Sequence, residues 1–478
     1  MKLNELKLTN PYLSLPSECH DRVEPSPLNK PFLIHANENV AQMLDIDKEE
    51  LYTEEFVRFV NGAYRPKGSD PFAMCYAGHQ FGHYVPRLGD GRAINIGTIN
   101  GLHLQIKGAG QTKYSRSGDG RAVLRSSIRE YLMSEAMHGL GIETTRALAI
   151  VGSDHSVYRE KWEKGAIVLR VSPSWVRFGT FEYFAHKKKL KELEALTDYA
   201  IEESYSYLSN ESDKYTSFFG EVVERTARLI AHWQAVGFNH GVMNTDNMSI
   251  HGLTIDYGPY AFLDLYDHNH ICNHTDTYGR YSFGNQPKVA EWNLHALALA
   301  LCAMIPMETM ERQIDRYATL YQESYIEIMS LKLGFERREE KDGALIAHLL
   351  GTMQRLQVDY TLFFRTLSRY DGDRKPLLAL CLYHSPMNDW LDLYDDRLKR
   401  NEGDQLTRHM RMLKHNPKYV LKNYMLQEAI DAAEEGKYGL IDDLFKIAKE
   451  PFAEHPEFER WAEVTPERFR NTKLSCSS

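Results

Sequence analysis

The sequence has no long hydrophobic run, no paired cysteines and no strong excess of charge. None of its apolar stretches approaches the roughly 20 residues of a membrane-spanning helix, so we expect no membrane association. Its six cysteines are scattered and include no Cys-X-X-Cys pair, which argues against a disulfide framework and a cysteine-rich zinc site. The net charge of −9 argues against a nucleic-acid partner, because phosphate neutralisation requires a basic surface.

The first residues also lack the features of a targeting segment. Residues 1–8 contain no apolar signal-peptide core, and Glu5, Glu18 and Asp21 are atypical of a transit peptide. We therefore expect a cytoplasmic protein. With 478 residues, of which 43% are hydrophobic and 26% charged, the chain has the composition of a globular protein with two or three lobes.

Hydrophobic periodicity predicts a strand-rich N-terminal part followed by a largely helical remainder. Residues 93–97 and 102–107 alternate in period two around Asn100-Gly101, which is typical of a β-hairpin. A helix is predicted over residues 121–140 and another strand over 166–171. Later helices are expected at residues 199–208, 218–236, 292–304, 308–333, 343–367, 421–435 and 440–449.

The most informative stretch is the octapeptide at residues 240–247, His-Gly-Val-Met-Asn-Thr-Asp-Asn, followed by Asp-Tyr-Gly beginning at Asp256. Its spacing matches a protein-kinase catalytic loop and the later metal-binding aspartate. Asn247 occupies a metal-binding position, but Val242 stands where a kinase has its proton-accepting aspartate. Asp246, Asn247 and Asp256 offer the hard oxygen ligands that Mg²⁺ or Mn²⁺ prefers. The pattern indicates either an inactive kinase-like protein or a different phosphate chemistry.

A lysine and a glutamate upstream of this loop are candidates for holding nucleotide phosphates. Kinase-like sites use a strand lysine that contacts phosphates and a helix glutamate that orients it. Lys107 ends a predicted strand, and Glu130 lies in the predicted helix that follows. Glu135, in the same helix, is the alternative partner.

Two Gly-Asp-Gly-Arg tetrapeptides, at residues 89–92 and 118–121, flank the strand lysine. Glycine lets backbone N–H groups approach phosphate oxygens, and arginine can bind an anion through two hydrogen bonds. Neither tetrapeptide matches the Gly-X-Gly-X-X-Gly loop of kinases, so we expect a different phosphate loop. Arg170 and Arg177 are either surface residues or an additional clamp for a polyphosphate.

Together, these residues resemble the selenoprotein O family, whose bacterial members are the YdiU-type proteins. The resemblance covers essentially the whole chain. The motifs that carry it lie at residues 76–82, 107–110, 114–116, 134–138, 141–147, 244–247, 256–259, 272–274 and 416–420.

The resemblance implies an α+β, protein-kinase-like (pseudokinase) fold of two lobes. Residues 61–172 would form a small strand-rich N-lobe, and residues 173–310 a larger helical C-lobe with the catalytic and metal-binding loops. Residues 1–60 would be an N-terminal extension that packs on the core. Residues 311–478 would be a helical extension that ends in a cysteine-containing tail.

The resemblance also implies an enzyme that binds ATP in a reversed orientation and transfers AMP to Ser, Thr or Tyr hydroxyls of proteins, releasing diphosphate. Bacterial members are also associated with UMP transfer from UTP using Mn²⁺, and an ATP-binding scaffold without catalysis is the alternative from another class. Asp246 would accept the proton, while Asn247 and Asp256 would hold Mg²⁺ or Mn²⁺. The nucleotide would contact Gly89, Gly91, Arg92, Lys107, Asp119, Gly120, Arg170, Arg177 and Asp256.

Several members of the family carry selenocysteine near the C-terminus, where this chain has Cys476. Cys272 follows the metal-binding segment, so a reversible disulfide between Cys272 and Cys476 is one hypothesis. The alternative is an exposed thiol at Cys476 with no role.

Overall fold

The computed structural model describes residues 1–469, which are strand-rich at the N-terminal end and mainly helical beyond it. The strands are β1 (His20–Arg22), β2 (Phe32–Ala36), β3 (Phe72–Met74), β4 (Gly78–Gln80), β5 (His83–Val85), β6 (Ala93–Ile99), β7 (Leu102–Lys107), β8 (Ala122–Val123), β9 (Arg146–Tyr158), β10 (Trp162–Ser172), β11 (Phe238–Asn239) and β12 (Ala261–Phe262).

Sixteen α-helices fall within the described residues. The first six are α1 (Glu38–Met43), α2 (Glu54–Val60), α3 (Leu124–Gly139), α4 (Phe178–His186), α5 (Leu190–Ser204) and α6 (Lys214–Val236). The remaining ten are α7 (Gln286–Leu301), α8 (Met307–Ile314), α9 (Tyr317–Lys332), α10 (Asp342–Leu356), α11 (Tyr360–Leu367), α12 (Lys375–Leu378), α13 (Ser385–Leu398), α14 (Gln405–His415), α15 (Asn423–Glu434) and α16 (Gly439–Lys449).

The main sheet is antiparallel, with strand order β1-β3-β6-β7-β10-β9-β2 and β8 paired to β10. The predicted hairpin is confirmed as β6 and β7. Asn100 and Gly101 connect these strands with φ of 52° and 74°, and left-handed backbone at both positions is what a tight type I′ turn needs. The strands β1 and β2, both within residues 1–60, belong to this sheet.

Helix α3 connects the sheet to the C-terminal end of the chain. It packs against β9 and β10 on one side and against α15 and α16 on the other. Ile128 and Leu132 of α3 therefore share one apolar cluster with Met425 of α15 and Leu444 of α16. A separate apolar cluster, which includes Met329, lies among α9, α10, α11 and α13. Burial of both faces fixes α3 firmly between the two parts of the molecule.

Two predicted long helices are wrong, since each is a pair of shorter helices. Residues 308–333 divide into α8 and α9 at Asp315-Arg316. The two helices have different packing partners, since α8 packs against both α6 and α7 whereas α9 packs mainly against α6. Residues 343–367 divide into α10 and α11 at Gln357, whose φ is 55°. Asp359 then begins α11 by accepting a hydrogen bond from Leu362 N. Within residues 1–469, every helix is too short or too polar to cross a bilayer.

Candidate active site

A cavity of about 870 Å³ opens between the strand-rich part and the helices that follow it. Its size is within the range of cavities that hold nucleotide-sized ligands. Both Gly-Asp-Gly-Arg turns line it, and so do Asp246 and Asn247. Of the predicted nucleotide-binding residues, those that line it are Gly89, Gly91, Arg92, Lys107, Asp119, Gly120, Arg170 and Asp256.

Beside the cavity lies a network of largely buried ion pairs. Lys107 Nζ at the end of β7 is 2.6 Å from Glu130 Oε2 on α3. Arg170 Nη1 at the end of β10 is 2.8 Å from Glu130 Oε1 and 2.6 Å from Asp256 Oδ1. Arg177 Nη1 is 2.6 Å from Asp256 Oδ2. The network therefore contains three cations and two carboxylates, which leaves a positive charge beside the cavity.

The glutamate that pairs with Lys107 is thus Glu130. Glu135, the alternative, points elsewhere and forms an ion pair of 2.8 Å with Arg146. The two residues differ because α3 turns by about 500° over five positions, which carries Glu135 to a different side of the helix. Glu130 is the one that faces the end of β7.

Both carboxylates of the network are ionised at neutral pH. Burial alone would raise the pKa of Asp256, but the charges of Arg177, Arg170 and Lys107 outweigh it and hold that pKa well below its ordinary value. Burial is likewise outweighed at Glu130 by Lys107 and Arg170, so the pKa of Glu130 is lowered. The network keeps its charges, and the arginines stay fixed in place.

The pKa of Asp246 is shifted in the opposite direction, because burial outweighs the nearby positive charge. The residue is only 7% exposed, and this burial raises the pKa of the Asp246 carboxyl to about 7. A hydrogen bond from Gln80 Nε2 to Asp246 Oδ2, 3.1 Å long, opposes the rise. Asp246 Oδ1 is buried and has no hydrogen-bond partner within residues 1–469. A carboxyl with such a pKa and one unpaired oxygen can exchange a proton near neutral pH.

The backbone around Asp246 is fixed by side chains from several elements. Asp246 lies in a 3₁₀ turn, Thr245–Asn247, and its carbonyl oxygen accepts a hydrogen bond of 2.7 Å from Arg177 Nη1. Asn247 Nδ2 donates to Val242 O at 2.9 Å. Arg177 therefore contacts both the backbone of Asp246 and the carboxylate of Asp256.

A short ribbon formed by β4 and β5 positions the loop from the strand-rich part. His79 N donates to Thr245 Oγ1 at 2.6 Å, and Phe81 N donates to Asn244 Oδ1 at 3.3 Å. Gln80, between them, contacts Asp246. Three consecutive residues of the ribbon thus contact three consecutive residues of the loop.

No sequence pattern predicts a role for Gln80 or for the rings that cover the arginines. Arg177 lies over the ring of Tyr76 at 4.5 Å, and Arg170 lies over the ring of Trp175 at the same distance. Gln80 and Tyr76 belong to the motif at residues 76–82. That motif contributes to the family resemblance, but its sequence alone predicts no chemical role for either residue. Only the folded chain brings these side chains to the site.

The oxygen atoms beside the cavity fit a Mg²⁺ or Mn²⁺ ion. The Asn247 amide donates through nitrogen, so its carbonyl oxygen is the atom suited to a metal. Asp256 adds a carboxylate that lines the same cavity. No group of three or more His, Cys, Asp or Glu within residues 1–469 could hold a metal by itself. A metal here would need nucleotide phosphates as additional ligands, as Mg²⁺ commonly does.

Cys272 is buried, and its Sγ donates a hydrogen bond of 2.9 Å to Pro259 O, close after Asp256 in sequence. Cys476 lies outside the described residues. The disulfide between them stays a prediction.

Comparison with known proteins identifies the family. A sequence model described as protein adenylyltransferase SelO matches residues 2–449. The protein nucleotidyltransferase YdiU of Myxococcus xanthus is 46% identical over 485 residues, covering 100% of this chain and 99% of that protein. Proteins of the same description from Ectopseudomonas mendocina and Thioalkalivibrio sulfidiphilus are 45% and 46% identical, with 100% of each chain covered. The chain therefore belongs to the protein adenylyltransferase SelO family, a family of protein nucleotidyltransferases.

Proposed function

We propose that the protein transfers AMP from ATP to Ser, Thr or Tyr hydroxyls of other proteins, releases diphosphate and depends on Mg²⁺ or Mn²⁺. The observation that carries this proposal is the combination, at one cavity, of a network of fixed cations and a protonatable carboxyl. Lys107 and Arg170 line the cavity, and Arg177 pairs with Asp256 beside them. Asp246 lines the same cavity with a pKa raised to about 7. The cations suit a polyphosphate, and Asp246 suits the role of proton acceptor.

The proposed fold is that of a protein kinase with two lobes. It is supported by the strand–helix ion pair between Lys107 and Glu130 and by the loop at residues 240–247 that precedes Asp256. Asp256 has a φ of 59°, uncommon for a residue other than glycine, which agrees with a backbone constrained by its function. The lobe boundaries at residues 61–172 and 173–310, flanked by extensions at 1–60 and 311–478, belong to this proposal.

The nucleotide is proposed to lie with its β and γ phosphates toward the buried cations. A kinase must present the γ-phosphate to its acceptor, whereas a nucleotidyltransferase must present the α-phosphate and let diphosphate leave. Lys107 and Arg170 line the cavity, and Arg177 lies just behind Asp256. Fixed cations at this position stabilise the negative charge of departing diphosphate without reorganisation. The reversed orientation would leave the α-phosphate on the side of Asp246.

In the proposed reaction, the Asp246 carboxylate accepts the proton of the acceptor hydroxyl. The hydroxyl oxygen then bonds to the α-phosphorus, and the bond from that phosphorus to the oxygen shared with the β-phosphate breaks. The departing diphosphate takes the electron pair of that bond. A bound Mg²⁺ or Mn²⁺ ion, held by Asn247 and Asp256, would neutralise phosphate charge. Gln80 donates a hydrogen bond to Asp246 Oδ2 and thereby fixes the orientation of the carboxyl.

Labelled nucleotides distinguish this proposal from its alternatives. We expect the label from [α-³²P]ATP to reach protein and the label from [γ-³²P]ATP not to. Label that reaches protein only from the γ position would establish a kinase instead. Binding of ATP without transfer of either label would establish a scaffold. Parallel reactions with [α-³²P]UTP and Mn²⁺ determine whether UMP is the preferred group.

Replacing Gln80 with alanine is expected to move the pH dependence of transfer. The hydrogen bond from Gln80 lowers the pKa of Asp246, so its loss raises that pKa further. Because the base must be ionised, the rising limb of kcat against pH should shift to higher pH, and kcat at pH 7 should fall by about tenfold. KM for ATP should change little, since Gln80 does not contact the buried cations.

His83→Ala is the matched control for Gln80→Ala, because His83 is exposed on the neighbouring strand of the same ribbon. Its pH profile should equal that of the unmodified protein. A Gln80→Ala profile that falls in height without moving along the pH axis would show that Gln80 merely supports the ribbon.

A further inference from the structure

A second cavity, remote from the site above, contains a buried lysine that the proposed reaction does not use. It has a volume of about 820 Å³ and lies among the ends of α3, α6, α9 and α14. Lys332, the last residue of α9, lines it and is only 4% exposed. Within residues 1–469, no carboxylate lies within 4.0 Å of Lys332 Nζ. A buried ammonium without a counter-ion is unfavourable, so the absence of a partner calls for an explanation.

Aromatic rings are the nearest groups that stabilise this charge. Lys332 Nζ lies 4.4 Å from the centre of the Phe364 ring and 5.8 Å from that of Tyr360. Such contacts contribute only about 1–2 kcal/mol each, less than a buried charge costs. Burial accordingly lowers the pKa of Lys332 to about 7. The amine is thus poised to bind a proton whenever an anion is placed beside it.

The other ionisable groups of this cavity lie around Lys332 and are mostly basic. On α14, Lys414 and His415 line the cavity. Burial lowers the pKa of His415, and the charge of Lys332 lowers it further. On α6, Arg228 and His232 line it, and His138 does so from α3. The acidic members are Glu323 and Glu327, both exposed on α9.

The remaining wall is apolar, so a ligand that fills the cavity must also have an apolar part. Ile142 follows α3, Val236 ends α6, and Leu320, Ile328 and Leu331 face the cavity from α9. A simple inorganic anion would leave this surface unfilled. A ligand with an apolar body and one anionic group would satisfy both the wall and Lys332.

We infer that this cavity binds a small organic anion, with its anionic group on Lys332 and its apolar body against α9 and the turn after α3. The site is independent of the proposed transfer reaction and shares no residue with the first cavity. Its wall includes the turn that ends α3, the helix that carries Glu130. A ligand there would contact the same helix that orients Lys107.

Octanoate is a suitable probe, with 1-octanol and inorganic phosphate as controls that lack the charge and the apolar body. Isothermal titration should show saturable octanoate binding to the full chain. Binding of either control should be at least about tenfold weaker, because a charge-assisted hydrogen bond contributes on the order of one such factor. At pH 8, where Lys332 is mostly neutral, octanoate binding should take up a proton, measurable as a dependence of the heat on the buffer.

Lys332→Met tests the residue, and Lys414→Met is the matched control at the exposed edge of the same cavity. We expect Lys332→Met to weaken octanoate binding at least about tenfold and to raise the melting temperature without ligand, since an unpaired buried charge is removed. Lys414→Met should change binding less than about threefold. The inference is overturned if the full chain shows no saturable binding, if 1-octanol binds as tightly as octanoate, or if folded Lys332→Met retains the affinity. Lys332→Gln provides the same comparison should Lys332→Met not fold.

Discussion

Replacing Asp256 with asparagine is expected to reduce nucleotidyl transfer by about 10²–10³-fold, because the charged group that faces metal and phosphates is lost. The same change should lower the free energy of unfolding. Arg177 is 1% exposed, and Asp256 is the carboxylate with which it pairs. Breaking a buried pair by removing one partner costs about 3–5 kcal/mol. Initial rates with [α-³²P]ATP and urea unfolding measure the two effects separately.

Asp70→Asn is the control for Asp256→Asn, since Asp70 forms an exposed ion pair of 3.0 Å with Arg22. Its loss should change the free energy of unfolding by less than about 1 kcal/mol and leave transfer unchanged. An Asp256→Asn variant that transfers at the full rate would contradict the proposed metal and phosphate site. Equal stability in that variant would contradict the importance of the Asp256–Arg177 pair.

Replacing Asp246 with asparagine is expected to have opposite effects on activity and stability. Transfer should fall by about 10²–10⁴-fold, the usual contribution of a general base. Stability at pH 8 should rise, because burial raises the pKa of Asp246 from 3.8 to about 7 in the folded protein. The free energy of unfolding therefore falls as pH rises from about 4 to about 7, because ionising the buried Asp246 is unfavourable. Asparagine does not ionise, so the variant does not lose this stability. The gain at pH 8 should be roughly 2–4 kcal/mol.

The pH dependence of this gain is the decisive measurement for Asp246. Urea unfolding at several pH values should show the difference between Asp246→Asn and the unmodified protein shrinking as pH falls from 8 toward 4. In the unmodified protein, kcat should rise with pH through about 7. A stability difference that does not vary with pH would show that Asp246 is not the group whose pKa is raised. An undiminished rate in Asp246→Asn would remove it from the role of base.

Several features of the site could be predicted from sequence because they depend on local patterns. The β6–β7 hairpin follows from alternation around Asn100-Gly101, and Lys107 is its last residue. Glu130 lies on the helix that comes next and meets Lys107. The loop at residues 240–247 is a single short segment whose spacing is visible directly. Each of these features needs only a few neighbouring residues to be specified.

The rest depends on contacts between distant parts of the chain. Gln80 reaches Asp246 across a separation of 166 residues, and no periodicity records that contact. Arg170 and Arg177 could equally have been surface residues, until the structure placed both on Asp256. The burial of Lys332 and its lack of a carboxylate partner could not be predicted from sequence either, because both follow from the packing of several helices. Tertiary packing, not local preference, decided these positions.

The most direct test of nucleotidyl transfer is the intact mass of an acceptor protein after incubation with ATP, UTP and divalent metal together. We predict a mass increase equal to one or more adenylyl groups, which disappears with Asp246→Asn and reappears with the exposed control His83→Ala. A uridylyl increment would keep nucleotidyl transfer and change the donor. A phosphoryl increment, or no increment with any metal and acceptor while ATP still binds, would contradict the proposed function.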